Sequence, residues 1–278
     1  MRFRFAFGLL YLVLGSALFF SASSEMGRSP HQIPSMGKAN QVIPVQADMV
    51  SVIKGDTTVD RLLGEKALVQ AVLKSAGLQK WNSLPGLHYK IVAADFYSTK
   101  GEEILVAVSL PPDQGILGVV EQSSGGYMVV ATIKDLVPIT NIGVISLPGL
   151  GHSAVVIEEY LNEMTGAFFE MARLTIYGAV DAQIQRLWQR EKYVKAYWNE
   201  QWDNQAPRWL QHFEQVDIRF YREGRIVGQG EKQFLVAEDN NSVSLPAPEQ
   251  FKLVKTEPVH FVYRWEPGSL SFKFSSLP

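Results

Sequence analysis

The chain has 278 residues, with 26 lysines and arginines against 28 aspartates and glutamates, and a formal net charge of −2. This balance gives no reason to expect nucleic acid as a partner, and it supplies no polybasic segment for anionic lipid. Cysteine is absent, which excludes disulfides, a lipid-modified cysteine, a thiol nucleophile and zinc sites with cysteine ligands. The fold must therefore rest on its hydrophobic core.

Residues 1–24 follow the pattern of a secretory signal. Arg2 and Arg4 precede an almost wholly apolar run from Phe5 to Phe20, and small residues follow at Ala22–Ser24. The run is short for a membrane-spanning helix, which needs about 20 residues, so a cleaved signal is favoured over an uncleaved N-terminal anchor. In both cases the two N-terminal arginines stay on the cytoplasmic side of the membrane, and the rest of the chain is exported to the cell envelope or the extracellular space. Export without cysteine is typical of bacterial proteins.

A spacer and a helix separate this segment from the rest. Residues 25–55 carry several prolines and glycines with little periodicity, which predicts an extended, flexible spacer. Residues 56–80 predict one amphipathic helix that packs on a β domain, ending at Gly77. Its apolar face contains Val59, Leu62, Leu63, Leu68, Ala71 and Val72.

Short β-branched and aromatic runs follow from residue 85. Strands are predicted at 88–96, 103–110, 115–120 and 127–133, with a hairpin turn at 123–126. Residues 91–108 align with 142–159 at an offset of 51, so we predict two meander repeats within 85–190. Residues 191–278 form a further β region with an aromatic-rich connection. The predicted fold class is mainly β, with antiparallel meanders preceded by a helix, arranged as a partial propeller or a sandwich.

The first meander resembles the FG-GAP or integrin-like (VCBS-type) repeat of exported bacterial proteins. Asp95 opens a loop that Glu103 closes directly before an apolar strand, as in the family's calcium loop, and Val262–Glu266 resembles its terminal tyrosine–tryptophan strand. The resemblance implies propeller blades and makes Asp95 and Glu103 the candidate metal ligands. Tyr97 and Thr99 stand where the family has oxygen ligands for Ca²⁺, which favours a polar turn that has lost its metal. We expect no cofactor.

Residues 149–154, Gly-Leu-Gly-His-Ser-Ala, match a dinucleotide-binding fingerprint. The surrounding pattern indicates strands rather than the βαβ unit that the fingerprint requires. A helix from Ser153 to Leu174 is the competing interpretation that would restore nucleotide binding. His152 and Ser153 are neighbours and cannot form a hydrolase triad by themselves, because adjacent side chains of an extended chain point to opposite faces.

An aromatic cluster at residues 188–209 is the remaining candidate site. We assign Tyr197, Trp198, Trp202 and Asp203 as ligand-binding residues, because exposed planar rings beside polar groups hold sugar rings in exported modules; a buried core or lid is the alternative. The predicted function is an exported, non-enzymatic binding or structural protein whose partner is an envelope protein or a glycan.

Two other functions remain open. One is a carbohydrate- or peptide-binding module that uses the aromatic cluster. The other is an exported hydrolase that uses carboxylates such as Asp95, Glu103, Glu158 and Glu159, with a glycosidase pair about 5 to 10 Å apart. No catalytic residue is assigned, and membrane contact is expected only through residues 1–24 if they stay attached.

The N-terminal assignment predicts the start of the mature chain. N-terminal sequencing of the protein from fractionated native envelope should find a start near Ser24 or Glu25 in the soluble pool, because a peptidase would cut after the small residues. An intact Met1 in the membrane pool would show an uncleaved anchor instead.

Overall fold

The computed structural model describes residues 44–45, 58–97, 101–123, 126–165, 167–203, 205–239 and 243–275. The predicted signal (1–24) and nearly all of the predicted spacer (25–55) lie outside these residues. Within the described ranges, no helix is long and apolar enough to cross a membrane. The described chain is mainly β, with two antiparallel sheets and one α-helix that precedes all their strands except the first, which confirms the predicted fold class.

The α-helix α1 spans Thr58–Ser75. The first sheet has the order β1-β5-β4-β3-β2 and contains β1 (Pro44–Val45), β2 (His88–Ala94), β3 (Glu103–Leu110), β4 (Gln114–Ser123) and β5 (Gly126–Leu136). The second sheet follows the chain order and contains β6 (Ile139–Ser146), β7 (Ser153–Asn162), β8 (Phe169–Val180), β9 (Gln183–Asn199), β10 (Arg208–Tyr221), β11 (Arg225–Glu238), β12 (Lys252–Glu266) and β13 (Ser271–Ser275). Short 3-10 helices span Gln79–Trp81, Glu200–Asp203 and Pro248–Gln250.

Helix α1 covers one face of the first sheet. On β3, Val106 and Val108 pack in the same core as the helix, while the alternate residues point to the other face, as the pleat of a strand dictates. The buried stripe of the helix runs through Leu68, Ala71 and Val72. Two residues of the predicted apolar face do not join it, since Leu62 is 54% and Leu63 61% exposed. The packed stripe therefore lies in the later turns of α1.

The opposite face of the first sheet packs on the beginning of the second sheet. Leu105 of β3 and Leu117 of β4 share a core with Val155 and Ile157 of β7 and with Tyr177 of β8. The helix, the first sheet and this part of the second sheet therefore form three successive layers, and the residues of β3 and β4 are buried on both faces.

The second sheet folds back on itself. Strands β9 and β10 pair only between Tyr193–Asn199 and Trp209–Gln215. Beyond that ladder, β9 continues along β8 while β10 continues along β11. A core that includes Trp188 of β9, Val216 of β10 and Trp265 of β12 fills the space between the two halves, and β13 contacts β9 across it.

The dinucleotide-like segment forms a turn rather than a strand-to-helix connection. Gly149 and Gly151 have φ of 77° and 83°, a conformation that glycine adopts without steric cost. Strand β7 begins at Ser153, so the competing helix from Ser153 to Leu174 does not form. The segment therefore lacks the helix N-terminus on which the fingerprint places a pyrophosphate.

Close approach of α1 to β4 gives a stability prediction. A Cβ at Gly118 would lie 2.4 Å from Val72 Cγ2, whereas nothing lies within 4 Å of a Cβ at Gly143 of β6. We expect Gly118→Ala to lower the free energy of unfolding by about 1–3 kcal/mol through overpacking, and Gly143→Ala to change it by less than about 0.5 kcal/mol.

Urea unfolding measures both changes. Because the Gly118 clash is with Val72, the cost of Gly118→Ala should shrink in a Val72→Ala background. An equal cost in both backgrounds would show that the helix does not pack on β4 in this way.

Candidate functional site

The hairpin between β9 and β10 ends in a group of rings that we call the aromatic tip: Phe168, Trp198, Trp202 and Trp209. Trp202 stacks on Phe168 with ring centroids 5.9 Å apart and planes 22° apart. Its edge-to-face contacts with Trp198 and Trp209 have centroid distances of 5.2 Å. Trp209 is fully buried, whereas Trp202 is 38% exposed. The tip therefore presents one partly exposed indole on a buried aromatic base.

Local polar contacts hold the tip in place. Glu200 forms a bidentate ion pair with Arg208 across the hairpin connection. Asn199 Oδ1 accepts a hydrogen bond from the Gln201 amide at 2.9 Å, which supports the start of the 3-10 helix that carries Trp202. The Tyr197 amide donates to the Phe168 carbonyl at 2.9 Å, which ties the tip to the connection between β7 and β8.

The structure brings together three of the four predicted ligand-binding residues. Trp198 is half-buried beside Trp202, and Asp203 is exposed next to it in the chain. Tyr197 is only 8% exposed and packs against Phe251 at 5.4 Å. Successive residues of a strand point to opposite faces, so Tyr197 and Trp198 do not share one surface. Sequence reasoning missed Phe168 because it comes from a distant connection.

The predicted metal ligands lie at the two ends of the connection between β2 and β3: Asp95 follows β2, and Glu103 begins β3. Glu103 is 1% exposed, and its Oε2 accepts hydrogen bonds from the amides of Phe96 at 2.7 Å and Tyr97 at 3.0 Å. The Asp95 side chain is exposed, and its carbonyl accepts from the Ser153 amide at 2.6 Å. Among the described residues, no group of three or more histidine, aspartate or glutamate side chains could hold a metal ion. In this structure Glu103 holds the backbone of Phe96 and Tyr97 against the start of β3.

Glu158 and Glu159, the carboxylates considered for hydrolysis, face opposite sides of β7. Glu158 Oε1 lies 2.6 Å from Lys192 Nζ in a partly exposed pair. Glu159 is fully buried and binds Arg173 through two hydrogen bonds of 2.7 and 2.9 Å. Because they occupy different faces, they cannot flank one substrate bond.

Glu159 also closes the junction between the two sheets. It accepts hydrogen bonds from the Thr175 hydroxyl at 2.9 Å and from the Val137 amide at 3.1 Å. Val137 lies where the chain leaves the first sheet for the second. Burial, reinforced by the negative charge of Glu159, raises the pKa of Tyr177 to about 12. The site is a structural ion pair whose acceptors are all in use.

A second buried carboxylate links three neighbouring strands of the second sheet. Glu214 of β10 lies 2.6 Å from Arg190 of β9 and 3.3 Å from Lys232 of β11. His212 stacks on Phe234 at 5.4 Å, and burial, together with the charge of Lys232, lowers the pKa of His212. These contacts link three neighbouring strands in the interior of the protein.

No known protein family, no curated protein and no solved structure matches this chain.

The Glu159 ion pair gives a second stability prediction. Glu159→Gln should lower the free energy of unfolding by about 3–5 kcal/mol, because it leaves the Arg173 charge without its buried partner. Glu223→Gln removes the same charge from an exposed pair with Arg225 and should cost no more than about 1 kcal/mol. Urea unfolding of both variants measures the difference, and equal costs would contradict a structural role for Glu159.

Proposed function

We propose that this protein is an exported, non-enzymatic binding module of the cell envelope that holds a carbohydrate on its aromatic tip. The observation that carries the proposal is Trp202, a large apolar ring that remains 38% exposed although aromatic neighbours hold it on three sides. Partly exposed aromatic side chains of this kind are enriched at binding surfaces.

Rigidity supports a binding role for the tip. Aromatic pairs in stacked and edge-to-face geometry each contribute about 0.5–1.5 kcal/mol beyond the area they bury, so Trp202 is ordered before any ligand arrives. A ring that is already fixed loses little conformational entropy on binding. The apolar face of a sugar ring fits such a surface, and the exposed Asp203 and Gln205, which follow Trp202 in the chain, carry hydrogen-bonding groups for hydroxyls.

The environments of the buried carboxylates support a non-enzymatic role. Glu159, Glu200 and Glu214 are each committed to arginine partners, and Glu103 to backbone amides. A glycosidase needs two carboxyl groups on either side of one bond, one acting as acid and the other as base or nucleophile. The buried acids instead serve as internal hydrogen-bond acceptors. Export rests on the secretory pattern of residues 1–24.

Binding to envelope polysaccharide tests the proposal. Affinity electrophoresis through purified cell-wall glycan should retard the wild-type protein, and Trp202→Ala should weaken the interaction about tenfold or more, as truncation of an aromatic anchor does. Trp202→Phe keeps an aromatic face and should retain part of the affinity.

Trp81→Ala is the matched control, because Trp81 is a half-buried tryptophan on a different 3-10 helix. It should bind glycan as the wild type does. If wild type and Trp202→Ala migrate identically in every glycan gel, the carbohydrate proposal fails.

A further inference from the structure

A cleft opens where β9 and β10 stop pairing, and we call it the fork cleft. The ladder between these strands ends at Tyr193 and Gln215, and beyond it each strand follows a different neighbour. The cleft has a volume of about 580 Å³ and is lined by residues of β7, β8, β9 and β10, among them Glu158, Tyr160, Glu170, Leu174, Lys192 and Tyr193. It lies at the opposite end of the ladder from the aromatic tip.

Two tyrosines hold one carboxylate in this cleft. The hydroxyls of Tyr160 and Tyr193 each donate a hydrogen bond to a different oxygen of Glu170. The Asn162 side-chain amide donates to the Tyr160 hydroxyl at 3.2 Å. Both tyrosine side chains therefore lie against a carboxylate whose charge they do not neutralise.

The cations near Glu170 are engaged elsewhere. Lys192 pairs with Glu158 at 2.6 Å. Lys195 lies opposite Glu170 in the ladder between β8 and β9, but its ammonium sits 5.6 Å over the Tyr197 ring. Within the part of the chain that the structure describes, Glu170 has no ion pair. The residues that line the cleft include three acids, Glu158, Glu170 and Asp217, and one base, Lys192, and Asp217 pairs with Arg219. The lining therefore carries a net negative charge.

The tyrosines experience this negative charge. Burial raises the pKa of Tyr193 to about 12, and the hydrogen bond to Glu170 and its charge add to that shift. The hydrogen bond to Glu170 also raises the pKa of Tyr160. A site that disfavours a second negative charge favours a bound cation.

We propose that the fork cleft binds a primary ammonium group, with Glu170 as its counter-ion and the rings of Tyr160 and Tyr193 as aromatic walls. An ammonium has three donors, which suit the remaining lone pairs of the carboxylate and the phenol oxygens. Aromatic faces attract such a cation, more strongly where it is shielded from water. This site is separate from the aromatic tip and does not rest on the carbohydrate proposal.

Two sources supply the same ammonium chemistry: the lysine side chain of a peptide and a free polyamine. Isothermal titration of the full-length protein at low ionic strength, with trilysine in one series and spermidine in the other, distinguishes them. Binding of either probe supports the site, and the tighter probe identifies the source. Trilysine acetylated on all its amines should not bind, because it keeps the length but lacks the ammonium groups.

Variants at Glu170 give the decisive comparison. Glu170→Gln should weaken binding of the preferred probe at least tenfold, whereas Glu249→Gln, which removes an equal charge from an exposed position on the surface, should leave it unchanged. Tyr193→Phe should retain most of the affinity and Tyr193→Leu should lose it, because the ring is the proposed wall. Near-UV circular dichroism checks that each variant is folded.

Three results would overturn the proposal: neither amine binds the wild type, acetylated trilysine binds as tightly as trilysine, or a folded Glu170→Gln variant binds as tightly as the wild type. Retention of affinity in Tyr193→Phe together with loss in Glu170→Gln would support the charge and the ring as separate contributions.

Discussion

The whole arrangement depends on how the chain crosses from the first sheet to the second at residues 137–139. Backbone polar groups at such a junction are buried and must find partners. Glu159 accepts from the Val137 amide, the Pro138 carbonyl accepts from the Tyr160 amide, and the Ser109 hydroxyl bonds both backbone groups of Ile139. Satisfying these groups fixes one sheet against the other, and the shared core beneath them then has a defined shape.

The second sheet places its two candidate sites by means of one short ladder. The pairing of β9 with β10 is limited to Tyr193–Asn199 and Trp209–Gln215. At the closed end, the hairpin connection turns Trp202 outward over the buried Trp209. At the open end, the strands part and leave the fork cleft. A rigid scaffold with binding groups at the ends of its strands is the usual way in which sheets carry ligand sites.

Much of the fold follows from local pattern, because alternation and turn residues act over a few positions. Strand β3 has the bounds that its apolar run predicts, and the apolar period of residues 56–80 predicts the helix that the structure has at Thr58–Ser75. The sites depend instead on register and on distant partners. Glu170 contacts Tyr160 and Tyr193 only once β7, β8 and β9 are paired in the correct register. The pairing of β8 with β9 shifts register near Arg173 and Tyr177, and the alternation of apolar and polar residues does not predict such shifts.

Both sites therefore depend on the register of the strands, and the charge pairs between neighbouring strands favour the correct register. Glu214 lies opposite Lys232, which in turn lies opposite Glu257, so a slip of either neighbouring strand would remove a favourable cross-strand pair. Buried ion pairs add little net stability compared with apolar contacts, but a slip by one residue exchanges the two faces of a strand. In β9 that exchange would move Trp198 to the opposite face, and Trp202 would lose its edge-to-face contact with the Trp198 ring.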